Sequence, residues 1–479
     1  MASISSLGIG SNLDLSTLLT NLQTAESQPL LQLQQRQVSY TSKLSAYGQL
    51  QSALTTLQAS AKKLGDPVFF QGVKAAAGTA EVLSASAGGT AAPGTYNINV
   101  TQMAQAQSLV ATGQASAKTA IGSGTITIDF GTIGGGTYDA VTGKYSGASF
   151  TPDAERTAKS ITIDPAKSTL EDIRDAVNAA KAGVTASIVN DGSGTPNRLV
   201  LSSTETGKAS SMRIAVAGDA ALANLVSHDP AGSQSLQQTI QAQNAELTVN
   251  GIAVTSKSNT VKESIQGVTL NLLKVGTSSL GVTRDTATIE TAINDFVKAY
   301  NALQTTAGSL TAYDAGTKSG AALMGDSTLR NIQVAIRQVL TNPQSGVMKT
   351  MSEIGVGFTK DGTLALDSDK LRKAMADNLE GVAGLFSSAT GSTEGYGKQL
   401  SALVDKLTST GGALQAATEG MKASIKDLDD QYDDMQERVD AKMAIYRAQF
   451  TQLDLLVSRM NSTSTYLTQQ FASMSNSSK

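Results

Sequence analysis

Between Leu428 and Met460 the apolar residues Leu428, Tyr432, Met435, Val439, Met443, Tyr446, Phe450, Leu453, Val457 and Met460 follow one another at steps of three and four. Such steps line one side of a helix, and that side is stable only when something covers it. No proline interrupts the chain from Met421 to its end, so the spacing predicts a helix of about 50 residues, roughly 75 Å long. Helices inside globular domains average about 11–12 residues. A seam this long extends past a domain that the chain can build for itself, so its outer part is expected to need helices from neighbouring subunits. A long antiparallel hairpin within one chain is the less favoured alternative. The two successive steps of four at Met435, Val439 and Met443 should loosen any supercoil there.

A second seam lies near the other end. Leu15, Leu18, Leu19 and Leu22 share a face after a start at Asp14 or Ser16, and Pro29 interrupts them. From Tyr40 the residues Leu44, Tyr47, Leu50, Leu54, Leu57, Ala61 and Leu64 keep heptad-like spacing with one stammer near Tyr47, and Gly65-Asp66-Pro67 ends the helix.

From about residue 68 to 286 the period changes to two. TYNINV (95–100), TITIDF (125–130), SITID (160–164), TASIV (185–189), RLVLS (198–202), ELTVN (246–250) and VTLNLL (268–273) alternate apolar and polar residues, with turn chemistry such as Asn250-Gly251 between them. One helix, STLEDIRDAVNAAKAG, sits among them. Its expected capping box is Ser168 with Glu171, its buried face Leu170, Ile173 and Val177, and its stop Gly183. The echo of TITIDF in SITID hints at related substructures. Helix returns near residue 287 with Ile289, Ile293, Phe296, Val297, Tyr300 and Leu303, and again with Leu329, Ile332, Ile336 and Val339. A hairpin turns at Asp361-Gly362 before a helix bearing Leu371, Met375 and Leu379, GSTEGYG (391–397) reads as loop, and the last helices run from about Lys398 to Gly411 and from Met421 onward. Helical ends around a β middle suggest that the two ends lie together and the β region is inserted between them.

The chemistry of the chain is sparse. Its 479 residues carry a net charge of −3, with no basic footprint for nucleic acid, and no cysteine. Asp427, Asp429, Asp430, Asp433 and Asp434 read as the solvated face of a helix rather than a metal site. His228, the single histidine, has no nucleophile and orienting acid placed for catalysis by its sequence neighbours and reads as a loop residue. GTYDAVTGKY (136–145) departs from the phosphate-loop spacing and reads as a β turn. No catalytic, cofactor or metal site is expected, nor insertion into a membrane. The first basic residue is Arg36, so the start lacks the cationic segment of a secretory signal, and any export is expected to use a route that reads no cleavable signal.

SISSLGIGSNLDLSTLL at the start, LSAYGQLQSAL (44–54), GTYNINVTQMAQAQSL (94–109), GLFSS (384–388) and RMNSTSTYLTQQF (459–471) resemble segments of the bacterial flagellar filament-capping, or hook-associated protein 2, family. SITIDPAKSTLEDIRDAVNAAKAGVTASIVNDG is similar to a module of flagellar axial proteins. Asn12 stands where many relatives have Gly or Ser. The resemblance implies an α+β multidomain fold, with N- and C-terminal helical coiled-coil legs and a helical domain that carries inserted β-rich domains. The implied divisions are 1–40 as the N-terminal leg, 41–68 plus 287–420 as the helical inner domain, 69–116 plus 241–286 as a β domain, 117–240 as an outer β-rich domain, and 421–479 as the C-terminal leg.

The resemblance further implies assembly work without catalysis: a homo-oligomeric plate at the flagellum tip, outside the cell, that retains exported flagellin and promotes its folding and insertion. Implied partners are other copies of the chain, flagellin, the hook–filament junction protein, a flagellar export chaperone on the last helix, and the type III export apparatus in transit. The seam residues Leu44, Tyr47, Leu50, Leu54 and Leu57, with those from Leu428 to Met460, are the candidate contact surface. Rival readings are a flagellin or junction protein, and a secreted adhesin whose β lobes bind host mucin.

Overall fold

The computed structural model describes residues 14–388 and 394–476, the side chains of residues 475 and 476 excepted. Helices α1 (Leu15–Glu26) and α2 (Gln28–Leu64) lead into a β region that holds α3 (Leu170–Ala179) and α4 (Ala220–Val226); α5 (Thr286–Thr311), α6 (Ser327–Thr341), α7 (Ser368–Ser387), α8 (Tyr396–Thr408) and α9 (Ala413–Asn476) follow. The chain forms two compact units, Met1–Phe70 with Thr286–Lys479, and Gln71–Asp285.

The first unit is helical. Asp14 caps α1 by accepting from the Thr17 amide, and Pro29 occupies the first turn of α2, where its missing N–H costs nothing. Leu50, Leu54, Leu57, Ala61 and Leu64 of α2 are fully buried in one core with Ile293, Phe296 and Tyr300 of α5, Ile332 and Ile336 of α6, and Leu400 and Val404 of α8. The hairpin pairs Val356–Phe358 with Leu364–Leu366, and Gly362 takes the left-handed conformation its turn requires (φ +77°). Two expectations need correction here. Helix α9 begins at Ala413, not Met421, and runs through Gly420; one glycine weakens an interior helical turn by only about 1 kcal/mol. Helix α7 is kinked at Asn378, whose side chain accepts from the Gly381 amide at 2.8 Å and restarts the helix, a feature the apolar spacing did not reveal. Of the loop expected at 391–397, residues 391–393 lie outside the described residues.

The second unit contains two β lobes. In the first, the antiparallel strands Val73–Ala77, Gly276–Arg284, Gly94–Gln102, Ala245–Val249 and Ile252–Ser256 are neighbours in that order, and Thr260–Ile265, Val268–Leu272 and Leu83–Ala87 form a second sheet. Ile98, Val100, Leu83, Leu270 and Leu280 fill the core of this lobe. The second lobe has one sheet ordered Val184–Asn190, Asn197–Ser203, Ser108–Val110 and Gln237–Ile240. Its other sheet is built on Gly124–Gly134, which pairs with Ser211–Gly218 along one edge and with Lys159–Ile163 and Ser149–Pro152 along the other. Helices α3 and α4 bury Ile173, Val177 and Leu222 in the same core. All seven alternating segments are strands.

Three readings of this region change. The TITIDF and SITID echo is not a repeat: the two segments are antiparallel partners, Ile126 opposite Ile161, and they share a need for isoleucine on one face of one sheet. The capping box of α3 is Thr169 with Asp172, one residue beyond the pair expected, because the Ser168 hydroxyl bonds back to the Pro165 carbonyl. The helix closes at Ala180, three residues before Gly183, whose φ of +79° instead turns the chain into the strand that starts at Val184.

Candidate functional site

The long helix is half covered. It lies antiparallel to α2 and α1: the Lys442 ammonium donates to Glu26 at 2.8 Å, Tyr446 reaches the same carboxylate, and the Gln37 amide meets Asp429. Between these anchors Leu33 and Arg36 face Met435 and Arg438 across a narrow cleft. Lys442 and the hydrogen bond it donates hold the Glu26 carboxyl below the usual carboxylate range. Each step back along the N-terminal helices is therefore a step forward along α9, which places Leu15 opposite about residue 453 at the common rise of 1.5 Å per residue.

The burial of the seam follows this register. Leu428 and Val439 are buried; Tyr432, Met435, Met443, Tyr446, Phe450 and Val457 are half-buried; Leu453 and Met460 are exposed. From Arg459 to Met474 every residue is exposed, including Tyr466, Leu467 and Phe471 at 62, 47 and 68%. The intrachain hairpin, the less favoured expectation, thus forms over the inner part of the seam, and the outer part is left largely exposed to solvent. At 64 residues, α9 is longer than expected, about 96 Å at 1.5 Å per residue.

The N-terminal candidates divide differently. Leu44 is half-buried, but Tyr47, Leu50, Leu54 and Leu57 are at most 1% exposed within the chain's own helical core. These four cannot touch another chain while this core is intact, which corrects their assignment as contact residues. Heptad spacing shows which residues share a face; it does not show that α5, α6 and α8 of the same chain cover it.

Several structural anchors were not found by sequence reasoning. The Tyr47 hydroxyl donates to Asp326 at 2.7 Å, and Asp326 caps α6 by accepting from the Leu329 amide. Tyr300 donates to the Gly362 carbonyl, and Tyr396 to the Asn342 carbonyl at 2.7 Å. Asn301 clamps Leu364 at two points, accepting from its N–H and donating to its carbonyl, as Asn178 does to Ala186 and Asn259 to Ala104. A lone asparagine or tyrosine in a helical pattern carries no signal of such a long-range bond.

The described residues hold no group of three or more metal-ligating side chains, and no described helix is long and apolar enough to cross a membrane. His228 is not an exposed loop residue: its ring is fully buried in the second β lobe, where desolvation pushes its pKa down to about 4. The 136–145 segment is a β hairpin, Thr137–Asp139 with Lys144–Ser146.

Helical ends packed on one another, a β insertion between them and an apolar helix extending past its cover define an assembly component. Comparison with known proteins gives the family. Residues 242–462 match the model of the flagellar hook-associated protein 2 C-terminus, residues 11–107 that of its N-terminus, and residues 156–205 the flagellin hook IN motif. The flagellar hook-associated protein 2 of Escherichia coli (strain K12) is 41% identical and that of Salmonella typhimurium 38%, each alignment covering 100% of both chains. A crystal structure of the flagellar cap protein FliD D1-D2-D3 domains from Escherichia coli superimposes with a TM-score of 0.63 at 37% identity, covering 79% of this chain and 99% of that one. The chain belongs to the flagellar hook-associated protein 2 family, a family of structural flagellar proteins and not of enzymes.

Proposed function

We propose that this chain caps the flagellar filament as a homo-oligomeric plate at its tip, retaining exported flagellin and promoting its folding and insertion as the filament grows. The observation that carries this reading is the exposed outer end of α9, where Leu455, Leu456, Met460, Tyr466, Leu467 and Phe471 are all 47% exposed or more. Exposed apolar area on this scale marks a surface that works in contact with other chains. Sibling copies, flagellin and the hook–filament junction protein are the partners in the assembled state. Before assembly an export chaperone shields the same helix, and the unfolded chain leaves through the type III apparatus. The absence of cysteine from the sequence suits passage as an unfolded thread. The three hydrophobic cores support a helical domain, an inner β domain and an outer β domain, but Leu109 and Ala111 pack in the outer core, so the outer domain is better begun near residue 107 than at 117.

The test is a deletion strain. Loss of the chain should leave cells without filaments and shed flagellin monomers into the medium, and the full-length chain should restore filaments. A chain truncated after Thr451 should fold but not restore them. Filaments of normal length in the deletion strain would refute capping. If those cells also failed to attach to mucin, the adhesin reading would replace it.

A further inference from the structure

His228 is the one buried ring of this protein that could carry a positive charge. It is the single histidine, it is fully buried, and neither ring nitrogen has a hydrogen-bond partner of normal geometry among the described residues. Its backbone is fixed on both sides: N–H and carbonyl pair with Ile214 at 2.9 and 2.7 Å, and a second bridge joins it to Gln234. Gln234 in turn clamps Tyr145 of the 137–146 hairpin at two points, accepting from its N–H at 2.7 Å and donating to its carbonyl at 2.8 Å. The same hairpin is held by the Tyr138 hydroxyl donating to the Gln238 carbonyl at 2.7 Å and by the Gln238 N–H donating to Gly143 at 2.9 Å. Its two strands pair only with each other, so side-chain clamps and loop bonds, not a sheet, hold it in place.

We propose that the 137–146 hairpin is an acid-released strap over His228: proton uptake by the buried imidazole parts the hairpin from the 227–238 segment and exposes the edge of the second β lobe. The charged groups around the ring decide the direction. Lys144 on the hairpin opposes a positive ring, Asp229 beside it favours one, and α4 contributes no ionisable group. Arg213, on the strand paired to His228, is engaged at 2.5 Å by Asp129 of the neighbouring strand, and its own strand, Ser211–Gly218, carries no carboxylate. A buried imidazolium that only the Leu236 backbone and Asp229 favour is relieved by reaching water. The hairpin is held not by a sheet but by separable bonds, which also include Gln237 donating to the Val141 carbonyl and Gln238 donating to the Tyr145 hydroxyl. The hairpin carries Lys144 away as it leaves, removing the like charge at the same time. This inference rests on the second lobe alone and stands or falls independently of the capping reading.

The measurement is hydrogen exchange by mass spectrometry on the full chain without a histidine tag, at pH 7.5 and 5.0, normalised for the chemical exchange rate. A ring whose pKa is about 4 when covered and 6.5 when open raises the opening equilibrium constant about 30-fold between pH 7.5 and pH 5.0. Protection of residues 137–146 and 227–238 should fall by that order in the wild type and by less than threefold in His228→Gln and His228→Phe. Equal loss in the variants and the wild type, or no loss in the wild type, overturns the proposal. Should both variants misfold, proton NMR of the single imidazole decides: a ring still neutral at pH 6 supports the strap, and one that titrates near 6.5 in the folded chain refutes it.

Discussion

Tyr47, Tyr300 and Tyr396 are each at most 1% exposed, and each directs its hydroxyl to an acceptor far away in sequence, on a cap or loop of the helical unit. The rings contribute apolar packing, and the hydroxyls fix how neighbouring elements are placed. For Tyr47 the acceptor is charged, and burial together with Asp326 pushes its phenol up to about 12. Tyr47→Phe keeps the ring and removes the bond; urea unfolding should show a loss of about 1.5–3 kcal/mol with unchanged dependence on urea. The sign of the pH effect follows from the raised folded pKa. The contribution of Tyr47 is complete below pH 10, the unperturbed value, and is lost as pH rises from 10 through 12, so the gap between wild type and Tyr47→Phe should close over that interval. The asparagine clamps act at the same scale. Asn178 gives Ala186 the donor and acceptor that a neighbouring strand would offer, and Val184–Asn190 is an edge strand. The clamp occupies backbone groups that could otherwise recruit another chain.

At the scale of elements, the periodicities decided what could be read beforehand. Period-two segments became strands without exception because β-branched residues on one face leave a helix no amphipathic solution. The long steps of three and four became helices for the matching reason. Coverage was not legible in the same way. Leu50 and Leu428 look alike in sequence, yet one is sealed by α5, α6 and α8 and the other by α2, since which helices meet depends on turns hundreds of residues away. Helix α9 was expected only from Met421, yet Gly420 just before it sits in helix with nothing within 4 Å of where a Cβ would lie. The same holds for Gly48 in α2. Both glycines carry an entropy cost that no contact in the chain explains. Gly48→Ala and Gly420→Ala should each raise stability by about 0.5–1 kcal/mol, measured as a shift in the urea midpoint. A loss of stability at either site would mean the open space around it is not open in solution.

At the scale of the molecule, the β region is an insertion whose ends meet. Its first strand, Val73–Ala77, pairs antiparallel with its last, Gly276–Arg284, Val73 standing opposite Arg284. The ladder is closed just beyond by the Asp285 N–H donating to the Gly72 carbonyl at 3.0 Å and by the Arg284 guanidinium donating to Gln71. An insertion that begins and ends as a paired ladder imposes little chain-closure cost on the unit that carries it, because the entropy of bringing its ends together is met by its own hydrogen bonds. Both β lobes also have cores composed entirely of residues from within the segment. A fragment of residues 71–285 is therefore expected to fold alone, with strand-dominated circular dichroism and a cooperative thermal transition. The complementary chain, with Phe70 joined to Thr286 by a short Gly-Ser linker, should remain helical, because its core too draws on no residue of the insert. Thermal unfolding of the full chain should then resolve into more than one transition, each matched by one of the fragments. A single transition at a temperature neither fragment reaches would show that the two units stabilise each other, and the insert would have to be regarded as part of one cooperative body.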